Sequence, residues 1–281
     1  MPSFIVLSPN RLFPKAVSPL RSATALQKKA LRRCVQNSSS IDKSAHLQSK
    51  RMKRYLITGA SRGIGRAIAE RLAEPECTLL LHGRDREALS KTCHLVEARS
   101  ASAIPLHYDL RYVDSIERML EEVGSEPLDV LVNNAGIAVV KPLEEVTLED
   151  WQTTLAVNVT APFLLTKQLL LQMPEGSSIV NILSVAAKAG FPGWSCYCMS
   201  KFALEGFSQS VREELRVRRI RMLNVYPAAT STDIWNPLKG DWPRERMLPP
   251  EEIADAVAYV LSRPTDVAIE NIGLQNLSGR L

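Results

Sequence analysis

The sequence predicts one doubly wound α/β domain, a seven-stranded parallel sheet with helices on both faces. Three observations carry this expectation. From Lys53 onward, short β-rich runs alternate with helical ones, and such alternation predicts right-handed crossovers between parallel strands. A glycine-rich turn separates the first strand from the first helix. Seven strand candidates and at least six helical stretches share residues 52–281, with no internal repeat and no second domain.

The strands are expected, in order, at RYLIT (54–58), TLLLH (78–82), IPLHYD (104–109), LDVLV (128–132), SIVNIL (178–183), IRMLNVY (220–226) and, more weakly, AIENIGL (268–274). The helices between them are GRAIAERLAE (65–74), REALSKTCHLVEA (86–98), VDSIERMLEEV (113–123), the long run 148–173, SKFALEGFSQSVREELRV (200–217) and PEEIADAVAYVL (250–261). Asp85 stands where an N-cap is wanted for the second helix.

The turn TGASRGIG, residues 58–65, follows a strand and opens a helix. Its glycines, Gly59, Gly63 and Gly65, let the backbone come close to a ligand. The helix N-terminus behind them offers free N–H groups to a pyrophosphate. An ordinary glycine-rich loop is the plain alternative, but the context in a first βαβ unit favours a dinucleotide. The spacing is GxxxGxG, and here the sequence resembles the short-chain dehydrogenase/reductases. The resemblance spans about residues 52–281 and rests on several motifs in the family's order. NNAG (133–136) follows the fourth strand, Asn158 lies in LAVNVTAPF, Ser184 ends SIVNILS, and Tyr197 opens YxxxK thirteen residues later with Lys201. Membership implies a Rossmann-type fold.

Tyr197 and Lys201 stand four apart, so a helix puts them on one face. A free phenol titrates near 10, and a neighbouring cation favours its phenolate. Lys201 is therefore expected to lower the Tyr197 pKa. The resemblance implies that Tyr197 is the general acid for carbonyl reduction and the base for alcohol oxidation. It implies that Ser184 hydrogen-bonds the substrate oxygen. It implies that Lys201 tunes Tyr197 and binds the nicotinamide ribose. Asn158 would hold a water linking Lys201 to solvent. Taken singly, Ser184 reads equally as a strand-end cap and Asn158 as a polar contact inside a helix. Cys196 and Cys198 flank the tyrosine and read as small filler.

The second strand ends LLLHGRD, without an acid at His82 or Gly83 to hold a ribose hydroxyl. Arg62 in the turn and Arg84 after the strand suit a ribose phosphate, so NADP (NADPH) is the expected cofactor. The positions expected to contact it are Gly59, Ser61, Arg62, Gly63, Ile64, Gly65, Arg84, Asp109, Asn134, Ala135, Gly136, Tyr197, Lys201 and Thr232. Asp109 reads as an adenine contact or as a strand-end cap.

Composition excludes other classes. Hydrophobic residues make up 45% and charged residues 23% of the chain, which is ordinary for a globular domain. Five cysteines without CxxC spacing argue against a zinc cluster or a disulfide framework, and no metal is expected. No run approaches the roughly 18 to 20 apolar residues that span a bilayer, so no membrane association is expected. The net charge of +5 is local: residues 1–51 carry +9 and the rest −4. A nucleic-acid surface on the body is therefore not expected. The basic, serine-rich segment 1–51 is expected to be disordered. It reads either as an organellar transit peptide or as an upstream stretch outside the working protein, since Met52 precedes the first strand. The location is accordingly cytoplasmic, or an organellar matrix if the segment is a transit peptide.

YPAATSTDIW (226–235) occupies the place of the family's proline-glycine loop, with Ala228 for the usual glycine. The segment after it resembles the family's variable lid. Trp235, Trp242 and Trp194 read as an apolar pocket or as packing. ENIGLQNLSGRL lacks the glycine-rich end typical of oxoacyl-carrier-protein reductases. The expected activity is NADPH-dependent reduction of a small ketone or oxoacyl compound by a homodimer or homotetramer. A non-catalytic NADP sensor on the same fold is the alternative, and the intact Asn158–Ser184–Tyr197–Lys201 set opposes it. A sugar epimerase of the extended family would need a larger C-terminal domain.

Overall fold

The computed structural model describes residues 51–238, 240, 242–277 and 279. The expected disordered extension lies outside the described residues but for Arg51. Seven strands form one parallel sheet: β1 Lys53–Ile57, β2 Cys77–His82, β3 Ser102–Leu106, β4 Val130–Asn133, β5 Ser178–Ile182, β6 Arg221–Pro227 and β7 Asn271–Leu274. Their spatial order is β3-β2-β1-β4-β5-β6-β7, all parallel, as a doubly wound domain requires.

Seven α-helices connect them: α1 Gly63–Leu72, α2 Arg86–Glu97, α3 Val113–Val123, α4 Leu148–Leu155, α5 Ala161–Leu169, α6 Ser195–Arg216 and α7 Pro250–Leu261. Successive strand residues serve opposite faces, so both faces need apolar side chains. Ile57, Leu79, Leu81 and Val132 pack with α1, α2 and α7. Leu56, Leu80, Leu131 and Ile179 pack with α3 and α5 on the other side.

The second face carries a row of amides in place of hydrocarbon. Asn133, Asn181, Asn224 and Asn271 are register partners across β4 to β7. Asn133 Nδ2 donates to Asn181 Oδ1 at 2.9 Å, and Asn181 Nδ2 donates to Asn224 Oδ1 at 3.2 Å. Ser208 of α6 accepts from Asn181 at 2.9 Å. Glu205 of α6 accepts from Asn224 and from the Tyr226 hydroxyl, whose oxygen also lies 2.9 Å from Asn271 Oδ1. Lys188 completes the chain toward solvent with an ion pair to Glu205 at 2.9 Å. Buried polar groups persist where they satisfy one another, and this row does so between strands and helix except at Asn133 Oδ1, which is buried without a partner among the described residues.

Four sequence expectations shift. β3 covers 102–106 instead of 104–109, because pairing with Thr78–His82 fixes its span. His107, Tyr108 and Asp109 lie beyond the end of the strand instead. The long run 148–173 is not one regular helix, since a π-helical segment, Ala156–Thr160, joins α4 to α5. A 25-residue stretch, Leu148–Gln172, is also long and apolar enough by composition to cross a bilayer. That corrects the count of apolar runs, but Ala161, Leu165 and Leu169 sit in the domain core. Finally, α6 begins at Ser195, five residues early, so Tyr197 lies in its first turn. Asp85 caps α2 as expected, accepting from Ala88 N at 3.0 Å.

Candidate active site

The strands' C-terminal ends open into a cleft of about 470 Å³. Its floor is the glycine turn. Gly59 has φ +68°, and a Cβ there would lie 2.9 Å from Ala135 Cα. A Cβ at Gly65 would overlap the Gly59 carbonyl oxygen and crowd Asn134 Nδ2. Asn134 ties the turn to β4, donating from Nδ2 to Thr58 O at 2.9 Å and Gly59 O at 3.1 Å. Thr58 Oγ1 accepts from the Asn134 and Ala135 N–H groups, both at 3.0 Å. The TGxxxGxG and NNAG motifs are thus one interlocked unit.

His82 is a part of this unit that sequence reasoning missed. It is 3% exposed at the end of β2. Its Nδ1 accepts from Gly59 N at 3.2 Å, and its Nε2 lies 3.0 Å from the Tyr108 carbonyl. That fixes the neutral tautomer with the proton on Nε2. Burial pushes its pKa down to about 4, only partly opposed by the Tyr108 bond. The sequence shows a histidine at a strand end and gives no sign of these two partners.

The cradle fits a dinucleotide phosphate. Ser61 Oγ is buried with no hydrogen-bond partner among the described residues, an orphan that an anion would satisfy. No side chain caps α1, whose N-terminus faces the same space. Gly63, Ile64, Gly136 and Thr232 line the cleft beside it. Gly83 comes so close to Ser61 that a side chain there would overlap its Oγ. This explains why no acid stands at Gly83. Arg62 and Arg84 line the cleft mouth and are exposed, with Arg62 Nε 4.0 Å from Asp233 Oδ2. The Asp109 carboxylate also lines the cleft and pairs with Arg111 at 2.6 Å.

The four expected catalytic residues converge on one wall. Ser184 follows β5, and its Oγ accepts from Ala186 N at 3.1 Å. Tyr197 and Lys201 project from α6 into the same cleft, with Lys201 Nζ 5.6 Å from the Tyr197 ring centre. Lys201 is 4% exposed and donates to the Ile182 carbonyl at 2.8 Å.

Two expectations need correction. Burial raises the Tyr197 pKa to about 12, although the Ser184 hydroxyl pulls it back. Lys201 does not lower it, because its ammonium is spent on Ile182 and is itself pushed down to about 8 by burial. Asn158 does not present a free side chain for a water. Its Oδ1 accepts from Ile137 N at 2.9 Å, while its Nδ2 donates to Ile137 O at 2.9 Å and Ser200 Oγ at 3.0 Å. The π-helical turn aims it this way, clamping the loop after Gly136 against α6.

Next to Tyr197 stand three indoles. The Trp194 ring lies 5.5 Å from that of Tyr197 and 5.6 and 6.1 Å from those of Trp235 and Trp242. Trp235 and Trp242 are 4.8 Å apart. Cys196 and Cys198 are buried free thiols beneath Tyr197.

Residues 53–241 match the model of the short chain dehydrogenase family. The chain is 33% identical over 235 residues to a sepiapterin reductase of Chlorobaculum tepidum, covering 80% of this chain and 96% of that protein. It is 34% identical over 220 residues to the 3-oxoacyl-(acyl-carrier-protein) reductase FabG of Aquifex aeolicus, covering 74% and 89%. Among solved structures it is similar to landomycin C-6 ketoreductase LanV with bound NADP and rabelomycin, with TM-score 0.69, 32% identity and coverage of 80% and 95%. It is likewise similar to an alcohol dehydrogenase from the archaeon Thermococcus sibiricus complexed with 5-hydroxy-NADP, with TM-score 0.72, 30% identity and coverage of 82% and 99%.

Proposed function

The chain belongs to the short-chain dehydrogenase family and is an NADP-linked oxidoreductase acting on a small molecule, and from that premise we propose that it reduces the carbonyl of a small ketone or oxoacyl compound. The observation that carries this is geometric: Ser184, Tyr197 and Lys201 converge on one wall of the cleft that also holds the glycine-turn cradle, so a proton donor stands where a dinucleotide would bring its hydride. Bound NADPH supplies the hydride. Tyr197 gives its hydroxyl proton to the carbonyl oxygen as negative charge builds there. The Ser184 hydroxyl, beside Tyr197, donates to the same oxygen and holds it in place. Lys201, held by the Ile182 carbonyl with its Nζ 5.6 Å from the phenol ring, is placed to bind the nicotinamide ribose. Asn158 holds the Ile137 loop and Ser200, and so positions Lys201's helix. Arg62 and Arg84 take the ribose phosphate. Similarity to a sepiapterin reductase and to a ketoreductase supports the reductive direction.

The test is NADPH consumption across a ketone panel. No turnover with any ketone, in protein shown to bind NADPH, refutes the reading. The proposal extends to a homodimer or homotetramer, supported by the exposed Phe163 and Phe202 on α5 and α6. A monomeric mass by sedimentation would refute that part. It extends also to a cytoplasmic location, or an organellar matrix if residues 1–51 act as a transit peptide. Imaging of the tagged full chain tests it, and residence in any other compartment would refute it.

A further inference from the structure

The substrate side of the cleft is unlike its cofactor side. Apart from Lys201, which is held by the Ile182 carbonyl, the charged groups that line the cleft cluster at the cofactor end, namely Arg62, Arg84, Asp85 and Asp109, and Asp233 faces Arg62. Around Tyr197 the wall is Trp194, Trp235, Trp242, Phe191 and Leu238. The three indoles are only partly buried, so their packing against each other leaves ring surface open to the cleft. Packing alone would bury them. Each touches another edge-on or tilted, and Trp194 touches Tyr197 itself, so the rings form a continuous wall that begins at the proton donor. Such a wall rewards a flat ring more than a flexible chain of equal area, because ring faces and edges attract beyond their burial.

The polar edges of the indoles sharpen this. Trp235 Nε1 donates to Thr230 O at 2.8 Å and is satisfied. Trp242 Nε1 is buried with no partner among the described residues. A buried donor left unmet costs free energy until an acceptor reaches it.

We infer that the substrate is a neutral, flat aromatic ketone of about two fused rings, carrying an oxygen acceptor remote from the reacting carbonyl for Trp242 Nε1. The inference rests on the carbonyl reduction proposed above. The carbonyl sits at Tyr197 and Ser184. The rings lie against Trp194 and Trp235. The substrate is taken as neutral because, Lys201 apart, no charged side chain among the described residues of this wall would meet a carboxylate, phosphate or ammonium.

The experiment compares matched ketones in the full chain with NADPH. Acetonaphthone and its decahydro counterpart have the same skeleton and differ in aromaticity. The aromatic one is expected to show a kcat/KM roughly tenfold higher, the upper range of one ring–ring contact. Among acetonaphthones with one hydroxyl on the second ring, at least one isomer should gain about fivefold or more over the bare ketone, the scale of one hydrogen bond. Trp242→Phe keeps the ring and should erase that gain. Trp194→Leu should erase the aromatic preference, with retained NADPH binding showing that the variant folds. A parallel titration follows quenching of indole fluorescence by acetonaphthone in the Tyr197→Phe protein. Turnover of both ketones without an aromatic preference overturns the wall and leaves the reduction standing. Quenching without any turnover overturns the reduction and leaves the wall. Neither turnover nor quenching overturns both. No gain for any hydroxylated isomer, or a gain that survives Trp242→Phe, overturns the donor role of Trp242.

Discussion

Replacing His82 with leucine removes both hydrogen bonds that pin the glycine turn to the loop after β3. The Gly59 N–H and the Tyr108 carbonyl each lose a partner. A buried group left unpaired costs about 1–3 kcal/mol, and Gly59 is only part-buried, so about 2–4 kcal/mol in all is expected. For a domain of this size each kcal/mol moves the melting midpoint by about 2–4 °C, a drop of roughly 5–15 °C. The change also has a pH signature. The folded ring titrates at about 4 and the free one at 6.5, so between those values the unfolded chain binds the extra proton. That stability is complete above pH 6.5 and is lost progressively as the pH falls toward 4, by about 2 kcal/mol at pH 5. Leucine has no such loss. The wild-type advantage over His82→Leu should therefore be largest near pH 7.5 and shrink by about 2 kcal/mol at pH 5. Urea unfolding of both proteins at the two pH values measures it. A gap that stays constant, or a wild-type midpoint no higher than the variant's at pH 7.5, refutes the neutral bridging role.

Other substitutions probe the remaining parts. Tyr197→Phe should keep NADPH binding and lose roughly 100- to 10,000-fold in kcat, and a near wild-type kcat would rule out its role as acid. Changing Arg62 and Arg84 together to alanine should raise the KM for NADPH and leave that for NADH nearly unchanged; equal wild-type use of the two cofactors would contradict the phosphate assignment. Gly65→Ala drives a methyl into the Gly59 carbonyl and Asn134, so NADPH binding by fluorescence titration should be lost or weakened more than tenfold, on the order of 1.4 kcal/mol. Asn181→Leu strips partners from Asn133, Asn224 and Ser208 and should cost about 3 kcal/mol in urea unfolding, while a change under about 1 kcal/mol would mean the row is not cooperative.

The sequence made the domain legible where one residue type leaves little choice. Strand–helix alternation located all seven strands, and the spacing from Ser184 to Tyr197 to Lys201 located the catalytic wall, because strand end and helix start are near in sequence. What stayed hidden depends on partners far along the chain. IPLHYD has the composition of a strand through Asp109, yet β2 ends the pairing at Leu106. Asn158 sits in a π-helical turn that periodicity cannot distinguish from regular helix. The effect of Lys201 on Tyr197 read as simple attraction, because spacing shows neighbours and not burial. The tryptophans at 194, 235 and 242 become a wall only once the loop after β6 folds back over α6.

Parallel strands with apolar residues on both faces have a weakness that their patterning cannot cure. A slip of one residue turns every side chain to the wrong side and is penalised at once. A slip of two restores the faces and leaves hydrocarbon against hydrocarbon. The row Asn133–Asn181–Asn224–Asn271 acts against this second error. Moved by two along β4, Asn181 would stand beside Leu131 with its amide unmet, at about 1–3 kcal/mol, and its neighbours would fare no better. The amides thus work as the teeth of a key. They admit one alignment of β4 to β7, and that alignment brings the Ile182 carbonyl level with Lys201.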